Sequence, residues 1–161
     1  MKFLVDGMLG GLAKWLRILG YEVGYDPKTN DNDLIRIARE DDMILLTRDK
    51  ELHQRAIARE IVSALVIGLT EEERLAQMRK TFGISLTPTM AKTKCPDCGA
   101  NLVETSKSEV SDRVPQTSLK LYKEFWKCAT QNCGKVYWIG SHWKQILHTL
   151  EEAAKLASRE I

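Results

Sequence analysis

Long apolar runs are missing from this chain. No stretch of its 161 residues approaches the roughly 20 apolar residues that a membrane-spanning helix needs, so no membrane partner is expected. The segment Met1 to Leu19 is apolar in part, but it carries Asp6, Lys14 and Arg17 and has no charged leader before a clean hydrophobic stretch. A signal peptide is therefore not expected, and a reducing cytoplasmic setting is. A large net charge is missing too: 24 Lys and Arg stand against 22 Asp and Glu, which by itself names no partner. The imbalance is uneven, however, net −1 over residues 1–90 and net +3 over residues 91–161, which permits a nucleic acid without requiring one. The chain contains no P-loop, no Gly-x-Gly-x-x-Gly and no Gly-x-Ser-x-Gly, which removes the common phosphate-cradling and serine-hydrolase readings. No internal repeat or low-complexity tract is present, and the three histidines His53, His142 and His148 follow no regular spacing. What remains, at 43% hydrophobic and 29% charged residues, is the composition of a globular protein with room for one ordinary domain and a small one.

Cysteine is scarce, and all of it is organised. The four cysteines form Cys95-Pro-Asp-Cys98-Gly and Cys128-Ala-Thr-Gln-Asn-Cys133-Gly. Two compact turns, each followed by a glycine that lets the backbone fold tightly, suit the tetrahedral thiolate site of a structural Zn²⁺. The competing readings are two disulfides or four unrelated buried thiols. Four thiolates fill the coordination shell of zinc, so such a site builds structure and leaves no position for a reactive water.

The first half alternates strand and helix signals. Lys2 to Val5 is a short strand, followed by Leu9, Leu12, Leu16 and Leu19 at helical spacing until Gly20. Glu22 to Tyr25 predicts a second strand and Pro27 ends it. Asn30-Asp31-Asn32-Asp33 offers caps for a helix through Glu40. Met43 to Thr47 reads as a buried parallel strand, Asp49 caps a helix through Arg59, and Ile61 to Ile67 gives a fourth strand. Thr70-Glu71-Glu72-Glu73 is a capping box opening a helix toward Phe82. Four β-α units predict an α/β fold, a three-layer α/β/α domain with a parallel sheet. Thr87-Pro88-Thr89-Met90 breaks the rhythm and divides the chain into residues 1–88 and 91–161. The second part holds β-like pieces at Asn101 to Thr105, Glu124 to Lys127 and Lys135 to Ile139, as in a zinc ribbon. An exposed loop is expected from Ser106 to Ser118, and a final helix from Ser141.

Ligands of open parallel sheets bind at the carboxyl ends of the strands, and three of those ends are acidic here. Asp6 ends the first strand, Asp31 and Asp33 open the helix after the second, and Asp49 ends the third. Converging carboxylates repel one another unless a cation neutralises them, and oxygen-only ligands suit Mg²⁺ or Mn²⁺. The competing reading gives Asp31 and Asp49 to helix capping, which is the commoner fate of such residues. Asp6 interrupts an apolar junction and is harder to assign to capping. Lys14 and Arg17 lie three apart on the first helix, off its leucine stripe, and together with Arg48 are candidate phosphate contacts; an ordinary solvated face is the alternative. Trp15, Trp126, Tyr137, Trp138 and Trp143 are candidates for stacking on bases beside Lys123, Lys127 and Lys135, or for the core of the small module.

Together these segments resemble the Mut-seven C-terminal ribonuclease family, in which a PIN-like domain is fused to a zinc ribbon. The resemblance rests on Phe3-Leu4-Val5-Asp6-Gly7-Met8-Leu9-Gly10, Leu12 to Arg17, the Asp31 to Ala38 helix, Leu45-Leu46-Thr47-Arg48-Asp49, both cysteine pairs, and Tyr137-Trp138-Ile139-Gly140-Ser141-His142, nearly the whole chain. It implies a metal-dependent endoribonuclease that cleaves single-stranded RNA. Asp6, Asp31 and Asp49 would be the Mg²⁺ or Mn²⁺ ligands, Asp33 would replace or join Asp31, and Lys14 and Arg17 would occupy basic positions of the first helix. One departure stands out: Ile67-Gly68-Leu69-Thr70 supplies no fourth acid, which many PIN nucleases carry after a later strand. That departure favours the rival expectation, a non-catalytic RNA-binding or ribosome-associated zinc-ribbon module.

Overall fold

The computed structural model describes residues 1–159. Its first half is a four-stranded sheet of β1 (Lys2–Val5), β2 (Glu22–Tyr25), β3 (Ile44–Thr47) and β4 (Ser63–Leu65). The spatial order is β2-β1-β3-β4, and every pairing is parallel. Parallel strands need crossover helices, and the chain supplies α1 (Gly10–Ile18), α2 (Asp31–Glu40) and α3 (Lys50–Ala58), with α4 (Glu71–Phe82) following the last strand. The path from β1 to β2 runs one way across the sheet, while the paths from β2 to β3 and from β3 to β4 run the other way. Right-handed crossovers then place α1 on one face and α2 with α3 on the opposite face.

The side chains obey that division. Phe3, Val5 and Leu46 point into a core with Leu12 and Leu16 of α1 and Leu75 and Met78 of α4. Leu4 and Leu45 point the other way, into a second core with Leu34 and Ile35 of α2 and Leu52 of α3. Three layers result, as the apolar character of the strands predicts. β4 is shorter than the Ile61 to Ile67 run. Val66 still extends the ladder by donating to the Thr47 carbonyl at 2.8 Å.

The second half contains an antiparallel sheet in the order β5-β6-β7, formed by Leu102–Thr105, Phe125–Cys128 and Val136–Tyr137. The stretch Ser106 to Ser118, expected as an exposed loop, instead begins with α5 (Lys107–Val110) and runs into α6 (Gln116–Leu121). Its polar composition hid two apolar anchors, Val110 and Val114, which bury against Phe125 in a core of their own. The final helix α7 (Ser141–Ser158) packs along α4, and its Leu150 and Ala153 belong to the same core as Phe3 and Leu75. The last helix thus returns to complete the first sheet's core. No helix among the described residues is long and apolar enough to cross a membrane.

Candidate active site

The sheet order reverses direction at β1 and β3, since α1 leaves β1 toward β2 and α3 leaves β3 toward β4. In open α/β sheets the crevice at such a switch point is where ligands bind. Asp6 and Asp49 stand there. β1 ends at Val5, and the half-buried Asp6 that follows donates its amide to the Leu46 carbonyl of β3 at 3.0 Å. Its Oδ1 accepts from the Gly7 amide at 2.7 Å, capping a single 3-10 turn over Gly7–Leu9. Its Oδ2 accepts from the Thr47 hydroxyl at 2.8 Å.

Thr47 is fully buried, and its hydroxyl oxygen also accepts from the Asp49 amide at 3.0 Å. One hydroxyl therefore joins the Asp6 carboxylate to the backbone of Asp49 across two neighbouring strands. Asp49 caps α3, with Oδ1 accepting from Glu51 at 2.9 Å and from Leu52 at 3.4 Å. Thr47 was not singled out from the sequence. Its signal is a lone hydroxyl ending the apolar run Met43 to Leu46 two residues before an aspartate.

The connection from β2 to α2 is held against this edge. The Tyr25 hydroxyl donates to the Gly7 carbonyl at 2.9 Å, and backbone atoms of Pro27 lie 3.1 Å from where a Gly7 side chain would begin. Asn30, rather than Asp31, caps α2: its Oδ1 accepts from the Asp33 amide at 2.9 Å. Asp31 is consequently an exposed first-turn carboxylate released from capping, at the end of the helix where negative charge is stabilised. Asp33 is occupied by Asn30 at 3.1 Å and by Arg36 at 3.5 Å. Arg55 of α3 reaches Asn32 at 2.6 Å, tying the start of α2 to α3. Asp6 and Asp49 share an edge, and the aspartates form no tight cluster. Among the described residues, only the four cysteines form a group of three or more such side chains with ligand atoms within 4.8 Å of one another.

The three basic candidates take different positions. Lys14 is exposed, with Nζ 3.7 Å from Asp97 of the cysteine turn. Arg48 donates to the Gly68 carbonyl at 2.7 Å, fastening the loop after β3 to the loop after β4. Arg17 is only 5% exposed, and its guanidinium donates to the carbonyls of Pro96 at 3.1 Å, Asp97 at 3.4 Å and Val23 at 3.1 Å. Burial lowers its pKa from the usual arginine range, against the opposing pull of the nearby Cys98 and Cys95. It faces the cysteine turn and is not free at the surface to meet a phosphate.

The cysteines are all free and form no disulfide. Cys95 and Cys133 lie 3.7 Å apart sulfur to sulfur, and Cys98 and Cys128 lie 3.3 Å apart. A tetrahedron with Zn–S bonds of about 2.3 Å requires sulfurs about 3.8 Å apart, so the donor set fits that ion. Gly99 and Gly134, which follow the two turns, adopt φ of 79° and 57°, a conformation costly for other residues. Burial pushes the Cys128 thiol up to about 12. Burial also opposes ionisation of Cys98, but the Ala100 amide and the neighbouring thiols bring Cys98 down to about 7. Four sulfurs this close cannot all ionise unless a cation joins them.

The family model of the Mut7-C RNAse domain matches residues 1–150. This chain belongs to that family. Membership points to a ribonuclease function, and the four clustered cysteines are suited to zinc. No curated protein and no solved structure matches the chain.

Proposed function

We propose that this Mut7-C domain is an endoribonuclease that hydrolyses single-stranded RNA with Mg²⁺ or Mn²⁺ held by Asp6, Asp49 and Asp31, on a PIN-like α/β/α scaffold. The observation that carries the reading is the Thr47 hydroxyl linking Asp6 to Asp49 at the switch point of the sheet. The donors are hard oxygens, which fits these cations. A divalent cation there supplies Lewis-acid polarisation of a phosphate and of water. The chain's own residues supply the fixed geometry. Asp6 is held by Gly7 and Thr47, while Asp49 is held by the first turn of α3 and keeps its Oδ2 free of the cap. Asp31 is free to turn toward the same edge, and Asp33, already paired with Asn30 and Arg36, assists it. Lys14 on α1 offsets the charge of a neighbouring phosphate. Arg48 acts on the substrate indirectly, by fixing the Gly68 loop beside the edge.

One observation favours a second reading, RNA binding without cleavage: no three carboxylates among the described residues gather within 4.8 Å of one another. The two readings separate in one assay. Labelled single-stranded RNA is incubated with the zinc-loaded protein, with and without added Mn²⁺, beside Asp6→Asn and Asp49→Asn. The proposal expects Mn²⁺-dependent fragments with 5′ phosphates and a loss of 100-fold or more in each variant, on the order of 3 kcal/mol in the barrier. Absence of cleavage, or cleavage that survives both substitutions, defeats it, and retained binding would then support the second reading.

A further inference from the structure

A cavity of about 480 Å³ opens between α1, the Cys95–Cys98 turn, the end of β7 and the start of α7. Four aromatic rings line it. Trp15 comes from α1, Tyr137 and Trp138 from the end of the second sheet, and Trp143 from α7. All four are half-buried. Trp138 also packs on the small core around Phe125, and Trp15 on the large one, but Tyr137 and Trp143 pack against neither. Tyr137 is anchored through its hydroxyl, 3.1 Å from Cys95 Sγ, and with Trp143 it presents ring surface to an open slot, which favours a flat ligand over further chain.

The polar groups of the cavity narrow the choice. Lys14, 60% exposed in its side chain, and Lys135 engage Asp97 from opposite oxygens at one end, and Glu71 lines the cavity beside Gly11. The residues from 91 onward carry a net +3 before metal binding and a net +1 once four thiolates hold Zn²⁺, which permits a polyanion. At the other end the cavity is lined by Gly11, in the first turn of α1, five residues after Asp6. A strand laid along α1 therefore reaches from the aspartate edge to the slot.

We propose that this cleft receives one nucleobase of single-stranded RNA, that of a nucleotide flanking the phosphate held at the aspartates. The base stacks on Trp143 and Tyr137, and Lys14 and Lys135 face its phosphate. This rests on the ribonuclease reading above but is tested by binding instead of cleavage. The full zinc-loaded chain carrying Asp6→Asn, without added Mg²⁺ or Mn²⁺, is titrated with fluorescein-labelled octaadenylate and with an octamer of the same backbone lacking bases. Anisotropy and tryptophan quenching are both read. Stacking of one base corresponds to roughly 5- to 150-fold in affinity. Octaadenylate is therefore expected to quench tryptophan fluorescence and to bind at least fivefold more tightly than the abasic octamer. Trp143→Ala should remove most of that preference, and Trp143→Phe should restore most of it.

Equal affinity for the two octamers overturns the proposal, as does a base preference that Trp143→Ala leaves intact. Displacement of octaadenylate from the cleft by an apolar peptide, with no tryptophan quenching by the RNA, overturns it in favour of a protein partner. If Trp143→Ala does not fold, the two octamers decide alone. Cleavage without base preference leaves the ribonuclease standing and removes the cleft, whereas base-dependent binding without cleavage does the opposite.

Discussion

Replacing Arg17 by methionine keeps the length of the stem and removes the charged fork that joins the two halves of the molecule. Two of its hydrogen bonds, to Pro96 and Val23, are 3.1 Å long, and a third, to Asp97, is marginal at 3.4 Å. Bonds from a charged donor are worth about 1.5–3 kcal/mol each, and every carbonyl left buried without a partner adds about 1–3 kcal/mol. Against this stands the desolvation of a guanidinium only 5% exposed, whose Nε has no partner and which costs several kcal/mol to bury. The difference is a destabilisation of about 2–4 kcal/mol, or roughly 4–16 °C in melting temperature for a chain of this size. Because the Pro96 and Asp97 carbonyls lie inside the Cys95–Cys98 turn, zinc should also be held less firmly, about 10- to 100-fold by the usual influence of outer-shell contacts. Thermal unfolding of zinc-loaded protein measures the first effect, and transfer of zinc to a chromogenic chelator measures the second. Arg17→Lys retains the charge without the fork and should recover little. Unchanged melting and unchanged zinc transfer in Arg17→Met would refute the reasoning. Loss of RNA cleavage alone, with both of those intact, would return Arg17 to the role of phosphate contact.

Thr47→Val should cost about 1–3 kcal/mol in chemical denaturation, because the Asp49 amide loses its buried acceptor; it should also lower Mn²⁺-dependent cleavage, and wild-type values for both would remove the bridge from the argument. Leu150→Ala should destabilise the first sheet's core by about 2–5 kcal/mol although it lies in the last helix, read by hydrogen exchange at Phe3 and Leu46. Protection there that is indifferent to the substitution would show that α7 is not part of that core. Removal of zinc by chelation should abolish the near-ultraviolet signal of the second sheet while leaving most far-ultraviolet helix signal, since the parallel sheet uses no cysteine. Simultaneous loss of both signals would mean that the halves fold as one unit.

The sequence was legible wherever a single local rule decided the outcome. The strand and helix alternation, the Thr70 to Glu73 capping box and the compact cysteine pairs are of that kind, and they reappear with shifts of a residue or two at their ends. The helices within Ser106 to Ser118 are not legible because their two anchors, Val110 and Val114, are lost among polar neighbours and acquire meaning only opposite Phe125. At the site, the acidic strand ends were readable, but their joining through Thr47 was not, since a hydroxyl that bridges strands has no period. The choice of Asn30 over Asp31 as the cap likewise depends on the entry angle of one turn. Arg17 illustrates the deepest limit: a basic residue off the leucine stripe looks solvated until a turn about eighty residues later covers it.

The return of α7 to α4 places residues 83–140, the cysteine module included, inside a loop whose two ends both belong to the first sheet's core. Such a loop must close before that core is whole, and its closing entropy grows with the length that stays slack. Zinc, by gathering the four cysteines, shortens the slack portion and brings α7 within reach. Until α7 docks, the apolar side of α4 that it packs along stays open to solvent. Metal supply during synthesis then governs how long that apolar face stays open to misassociation, and so how much of the protein reaches its finished form.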